Sequence, residues 1–176
     1  MQVRVADIPE EGLRIEGSEA FERPFQDPSW KLEDVGFLVE KDGDAVFVRG
    51  HLTARVPQVC GRCLESYTVT VEPEVDARFV PNPRSRGEEH ELVADDLETD
   101  VYDNGVLDLN SLLETETTLA LPMKPLCREG CRGLCPVCGG NRNTTDCACE
   151  EHPPDSRWAP LKAWAERQPG AARQPR

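Results

Sequence analysis

From Val35 onward the apolar residues alternate with polar ones. VGFLVEK and DAVFVRGHLTARV are runs of β-branched and aromatic residues separated by Asp42-Gly43, a turn pair that favours a hairpin. In the second run Val46, Val48, Gly50, Leu52, Ala54 and Val56 fall on one face, the period of a strand with one side buried. YTVTVEPEVDARFV repeats the pattern with Tyr67, Val69 and Val71, and Pro73 interrupts it, which predicts an edge or a bulge. Upstream, residues 1–34 are mixed: VRVADI alternates like a short strand before proline, glycine and charge break the order. Downstream, GVLDLNSLLETETTLALP changes to a helical period. Leu109, Leu112, Leu113, Thr117 and Ala120 make an apolar stripe suited to packing on a sheet, Asp108 or Asn110 can cap the start, and Pro122 stops it. These patterns predict an α+β fold: a β-rich, antiparallel, curved or barrel-like sheet with one packed helix.

Two stretches carry no such period. Residues 81–100 are turn-rich and then hold seven carboxylates from Glu88 to Asp100 with no Lys or Arg, the composition of a solvated loop. After Cys149, HPPDSRWAPLKAWAERQ suits a short helix starting near Arg157, because Pro160 is tolerated only in a first turn. Trp158, Leu161 and Trp164 then share one side, to pack on the domain or to anchor a partner. QPGAARQPR reads as disordered. The organisation expected is an acidic β-rich domain over residues 1–123, a cysteine-rich segment with a short helix over 124–168, and a disordered tail over 169–176.

Charge sharpens this division. Residues 1–123 hold 11 basic and 27 acidic side chains, whereas residues 124–176 hold 9 basic and 6 acidic, within a net charge of −13. The acidic part is unsuited to coating a nucleic acid, whose phosphates require clustered Lys and Arg. The opening MQVRVADIPEEG lacks a basic start followed by an apolar run, so no secretory signal is expected. Runs such as LALPM are too short to cross a bilayer. A cytoplasmic location follows as the expectation, and there clustered thiols more often bind metal than pair with one another.

The chain has eight cysteines, and CREGCRGLCPVCGGNRNTTDCAC holds six of them. In CPVCGG the thiols at i and i+3 flank a turn relaxed by the following glycine. Such a knuckle aims backbone amides at sulfur and stabilises thiolates around a dication. Cys147 and Cys149 supply a second close pair, so Cys135, Cys138, Cys147 and Cys149 make one candidate tetrahedral zinc site. Cys60 and Cys63 lie in PQVCGRCLES, between two strands, a placement unlike the helix-opening pair of a thioredoxin-type centre. With Cys127 and Cys131 they form a second candidate site that would staple the cysteine-rich end to the sheet. Alternatively, Cys127 and Cys131 displace one pair of the first set, or the thiols bind no metal. One or two structural zinc ions are expected, because a closed four-ligand site leaves no position for a reacting water.

No glycine-rich phosphate loop, nucleophile elbow or Ser/His/Asp order accompanies the cysteines, and His51, His90 and His152 show no ligand spacing. No catalytic residue, cofactor-binding residue, small-molecule substrate or membrane contact is expected. The segments VCGRCLESY, GVLDLNSLLETETTLALPMKPLC and CRGLCPVCGGNRNTTDCACE…DSRWAPLKAW, in that order, resemble the bacterial YceD family, the large ribosomal RNA subunit accumulation proteins, over roughly residues 45–165. The resemblance implies a non-enzymatic cytoplasmic factor for 23S ribosomal RNA accumulation or processing and large ribosomal subunit assembly. Its partner would be ribosomal RNA or a basic ribosomal or assembly protein. The charge division suggests that the acidic domain holds the basic protein while Arg128, Arg132 and Arg142 touch RNA, or that contacts are to protein alone. The alternative class is a zinc-stabilised protein-interaction module associated with transcription or another basic partner; a thiol oxidoreductase using Cys60 and Cys63 ranks third.

Overall fold

The computed structural model describes residues 1–82, 97, 99–149, 156–158, 160, 161 and 164. Its scaffold is a long hairpin, β3 (Lys31–Asp42) and β4 (Ala45–Val59), turning at Gly43, whose φ of 59° a glycine adopts without strain. The alternating face of β4 points into the core: Val46, Val48, Leu52, Ala54 and Val56 are fully buried. Burying each valine or leucine stabilises the fold by about 1.5–3 kcal/mol. Gly50 is required by contact, since a Cβ there would lie 1.8 Å from the Gly36 carbonyl oxygen across the hairpin.

On its other side β4 has two partners in line. β6 (Glu74–Pro81) pairs with residues 46–51, and β5 (Ser66–Val71) pairs with residues 54–59. Glu72 and Pro73 separate them, and Leu52 N–H donates to the Pro73 carbonyl at 3.3 Å where the ladder is interrupted. Beyond Arg55, where β3 pairing begins at Lys31, β4 keeps only β5 beside it, so the hairpin continues as a two-stranded ribbon.

β2 (Leu13–Glu16) adds to β3, and β7 (Thr99–Tyr102) adds to β6. The sheet order is β2-β3-β4-β6-β7 with β5 beside β4, so among the described residues the sheet is open, not a closed barrel. All pairings in it are antiparallel except β6 with β7, which is parallel. Of the loop expected over residues 81–100, Pro81 belongs to β6 and Thr99 and Asp100 to β7, while residues 83–96 and 98 lie outside the described residues.

A second, two-stranded sheet pairs β1 (Gln2–Arg4) with β8 (Val106–Asp108). The turn before β8 uses Asn104 and Gly105, both at positive φ, the chemistry of a tight hairpin turn. Residues 106–108 are therefore strand, and the helix α1 (Leu109–Ala120) starts after them. Asp108 caps it by accepting from Asn110 N–H at 3.0 Å, and the chain opening is held there as the Met1 ammonium donates to Asn110 Oδ1. Leu109, Leu112, Leu113 and Thr117 are buried and Ala120 packs at the margin, the stripe that the helical period predicts. No helix among the described residues is long and apolar enough to cross a membrane.

Candidate metal centres

At the tip of the β4–β5 ribbon the chain makes a tight connection through Cys60 and Cys63. Cys60 N–H donates to the Glu65 carbonyl at 2.9 Å, and Leu64 N–H returns to the Cys60 carbonyl at 3.0 Å. Closing this knuckle puts Leu64 at a φ of 60°, a left-handed conformation costing about 1–2 kcal/mol for a residue with a side chain.

The segment after α1 docks onto this tip through backbone bonds. Gly61 N–H donates to the Pro125 carbonyl at 2.8 Å, and Leu134 N–H to the Arg62 carbonyl at 3.0 Å. Arg62 Nη1 in turn donates to the Cys131 carbonyl at 3.0 Å. Gly133 passes so close, at a φ of 72°, that a Cβ would sit 3.0 Å from the Arg62 carbonyl oxygen. These contacts bring Cys127 and Cys131 to Cys60 and Cys63, with Tyr67 and Leu126 packed against the cluster.

The four sulfurs lie within 4.8 Å of one another, with Cys60–Cys131 at 3.8 Å and Cys63–Cys127 at 3.7 Å. A regular tetrahedron of zinc–sulfur bonds about 2.3 Å long has edges of about 3.8 Å, whereas a disulfide is about 2.05 Å. The spacing is that of ligands around one dication. Cys60, Cys63 and Cys131 are buried and Cys127 is half-buried. This is the inner set.

A second knuckle follows at once. Gly139 N–H donates to the Cys135 carbonyl at 2.9 Å and Cys135 N–H to the Gly140 carbonyl at 2.8 Å, with Gly139 at a φ of 72°. Gly139 holds the place that Leu64 holds in the first knuckle. Cys135, Cys138, Cys147 and Cys149 form this outer set, again with all four sulfurs within 4.8 Å. Only Cys135 is buried; Cys138 and Cys149 are exposed. The structure thus brings the eight thiols together as two fours, the inner joining distant parts of the chain and the outer confined to one short segment.

Backbone amides do what the knuckle motif implies. The N–H groups of Cys127 and Cys63 hold the Cys60 thiol down at about 6. Those of Cys138 and Val137 hold Cys135 down at about 6. Cys131 is lowered chiefly by the side-chain amide of Asn143. Burial, with the neighbouring sulfurs, pushes Cys127 up to about 12, and Cys149 rises to about 12 beside Cys138. Each set therefore contains sulfurs ready as thiolates and others that give up a proton only to a cation among them.

The three arginines flank this end. Arg128 Nη2 donates to Asn143 Oδ1 at 2.9 Å, Arg132 pairs with Asp146 at 3.0 Å, and Arg142 donates its backbone N–H to the Gly133 carbonyl at 2.9 Å. Arg128 and Arg132 are exposed and Arg142 is half-buried. His51 sits on β4 facing Asp34 at 3.3 Å and belongs to neither of the candidate ligand groups among the described residues, and His90 and His152 lie outside the described residues. Ser156–Trp158 forms one short turn of 3₁₀ helix, and Trp158, Leu161 and Trp164 are exposed; the rest of the expected last helix and the tail lie outside the described residues. The motifs do not reveal Arg62, Glu65, Asn141 or Asn143, polar residues of ordinary loop type that hold the two knuckles together.

Fold and site together define the class: an open sheet whose ribbon tip joins a cysteine-rich segment, with two four-cysteine clusters that could each hold a metal ion. The family model for large ribosomal RNA subunit accumulation protein YceD matches residues 48–164, which include both sets, and the chain belongs to that family. It is also 32% identical over 108 residues to an uncharacterized protein of Mycobacterium bovis and to two of Mycobacterium tuberculosis, covering 61% of this chain. The chain spans about half the length of these curated relatives, 50% of each. No solved structure matches it.

Proposed function

We propose that this protein is a non-enzymatic, cytoplasmic factor that supports 23S ribosomal RNA accumulation and large-subunit assembly, with one structural zinc in each cysteine set. The observation that carries this reading is the family match across residues 48–164, whose name concerns accumulation of the large ribosomal RNA. Zinc suits the donor chemistry: four sulfurs grouped closely enough to fill a tetrahedral shell, which leaves no coordination position for water or substrate. Its contribution is a cross-link that holds the tail on the ribbon.

The outward contact runs through the cysteine-rich end, where positive charge gathers, while the acidic sheet domain holds a basic ribosomal or assembly protein. Arg128 and Arg132 also serve internally, through Asn143 and Asp146, so Arg142 is the clearest probe of RNA contact. Depletion of the protein should lower 23S ribosomal RNA, and the protein should co-sediment with large-subunit precursors. Normal ribosomal RNA levels together with no co-sedimentation would refute the reading. Substitution of Arg142 by Glu separates the two routes: weakened RNA crosslinking supports direct contact, and undiminished association assigns binding to protein partners. The rival interaction module gains from the acidic charge alone and predicts basic partners unrelated to ribosomes.

A further inference from the structure

The segment between Cys138 and Cys147 belongs to the outer set, yet its middle residue serves the inner one. Asn143 Nδ2 donates to Cys131 Sγ at 3.3 Å. Its Oδ1 accepts from the Arg132 backbone N–H and from Arg128 Nη2, both at 2.9 Å, which fixes the amide so that its N–H groups face the sulfur. Asn141 Oδ1 takes the Asn143 backbone N–H at 2.9 Å and shares its side-chain N–H group at 2.8 Å. Asn141 Nδ2 donates to Glu65 Oε1 at 2.7 Å on the ribbon connection. A backbone bridge between Leu134 and Asn141 lays this segment beside the inner knuckle.

We infer that Asn143 is a positioning residue for the inner cysteine set, supplied by the outer set, and that the two metal sites are therefore coupled. This rests on the proposed metal occupancy. An amide that donates to a coordinating thiolate orients it and spreads its charge, and removing such a partner typically costs ten- to a hundredfold in metal affinity. The outer metal would tie Cys138 to Cys147 and so hold Asn143 over Cys131. Linkage then requires the inner metal to strengthen the outer by the same factor. The outer set thus acts as a clasp on the inner one, and loading is cooperative although the sets share no ligand.

The test is cobalt(II) titration of the full chain, read by sulfur-to-cobalt charge-transfer absorption and by competition with a chelator. Asn143→Asp keeps the oxygen acceptors and removes the donors to sulfur; Cys147→Ser with Cys149→Ser disables the outer site. Each change should weaken inner-site cobalt affinity ten- to a hundredfold and shift its charge-transfer band, and the two combined should lose little more than either alone. Inner-site affinity unchanged within about twofold in Asn143→Asp, or losses that multiply, would overturn the coupling. Where a variant does not fold, the wild-type chain decides: excess chelator should remove the inner cobalt at least about tenfold faster once the outer has gone, and a constant rate rejects the inference. Absence of tetrahedral four-sulfur spectra from both sites would instead reject the metal reading.

Discussion

The two cysteine sets use the same four-thiol chemistry for different mechanical ends. The inner set draws its ligands from the ribbon tip and from the segment beyond α1, and three of the four are buried. The outer set draws all four from residues 135–149 and leaves two exposed. A cross-link between distant segments removes more freedom from the unfolded chain than one closing a short loop. The inner set should therefore carry the stability, and the outer set should govern how firmly the inner one is held.

Four experiments break or sharpen that contrast. The largest effect belongs to the inner set: Cys127→Ala with Cys131→Ala should lower unfolding stability by about 4 kcal/mol or more and open the cysteine-rich end to protease. A urea midpoint equal to wild type would deny the staple. Disabling the outer set with Cys138→Ser and Cys149→Ser should cost about 1–3 kcal/mol in excess zinc, because the inner metal stays but binds less tightly. Elemental analysis should then find one zinc per chain, and two would contradict the ligand division.

The third experiment concerns acid. Protons compete with metal for thiolate, so affinity must fall as pH falls. Cys60 in one set and Cys135 in the other are held down at about 6, so below about 6 the metal must displace one more proton from each set, and affinity should fall more steeply with acid there than near pH 7. Zinc affinity followed against a chromogenic chelator during acidification checks this, and a slope unchanged across pH 6 would contradict it. The smallest effects come from paired turn positions. Leu64→Gly should stabilise by about 0.5–1 kcal/mol, since glycine relieves the left-handed strain but has more freedom to lose on folding. Gly139→Ala should destabilise by about 1 kcal/mol. Thermal melts moving in the same direction for both would undo the equivalence of the two knuckles.

The long alternation of β4 was legible because a strand with one buried face leaves a period of two over many residues, and Val46 to Val56 display it, with only Gly50 on that face half-buried. The stripe of α1 was legible for the same reason. β2 is four residues long, too short for a period to register, although Asn104-Gly105 is a readable turn signal before β8. The parallel pairing of β6 with β7 has no local signature, because it depends on where the chain returns after leaving the sheet. At the candidate sites, cysteine spacing pointed to the outer four. The inner four could be grouped from the sequence only as one of several alternatives, by pairing the cysteines left over; what brings them together is the docking of residues 125–134 on Arg62 and Gly61, which close-range spacing does not encode. Asn143 sits in a stretch of asparagine and threonine that reads as any loop, and only the fold shows which sulfur it meets.

The ribbon beyond Arg55 has the geometry of a cantilever. From Arg55 to Cys60 a strand reaches about 16 Å at its rise of about 3.3 Å per residue, so a rotation of about 10° at the base carries the tip about 3 Å. Glu72 and Pro73 interrupt the pairing near that base, where the lever would pivot. Whatever grips the cysteine-rich end would pull on the long arm of this lever, and the bending moment would be greatest at its base, near Glu72 and Pro73.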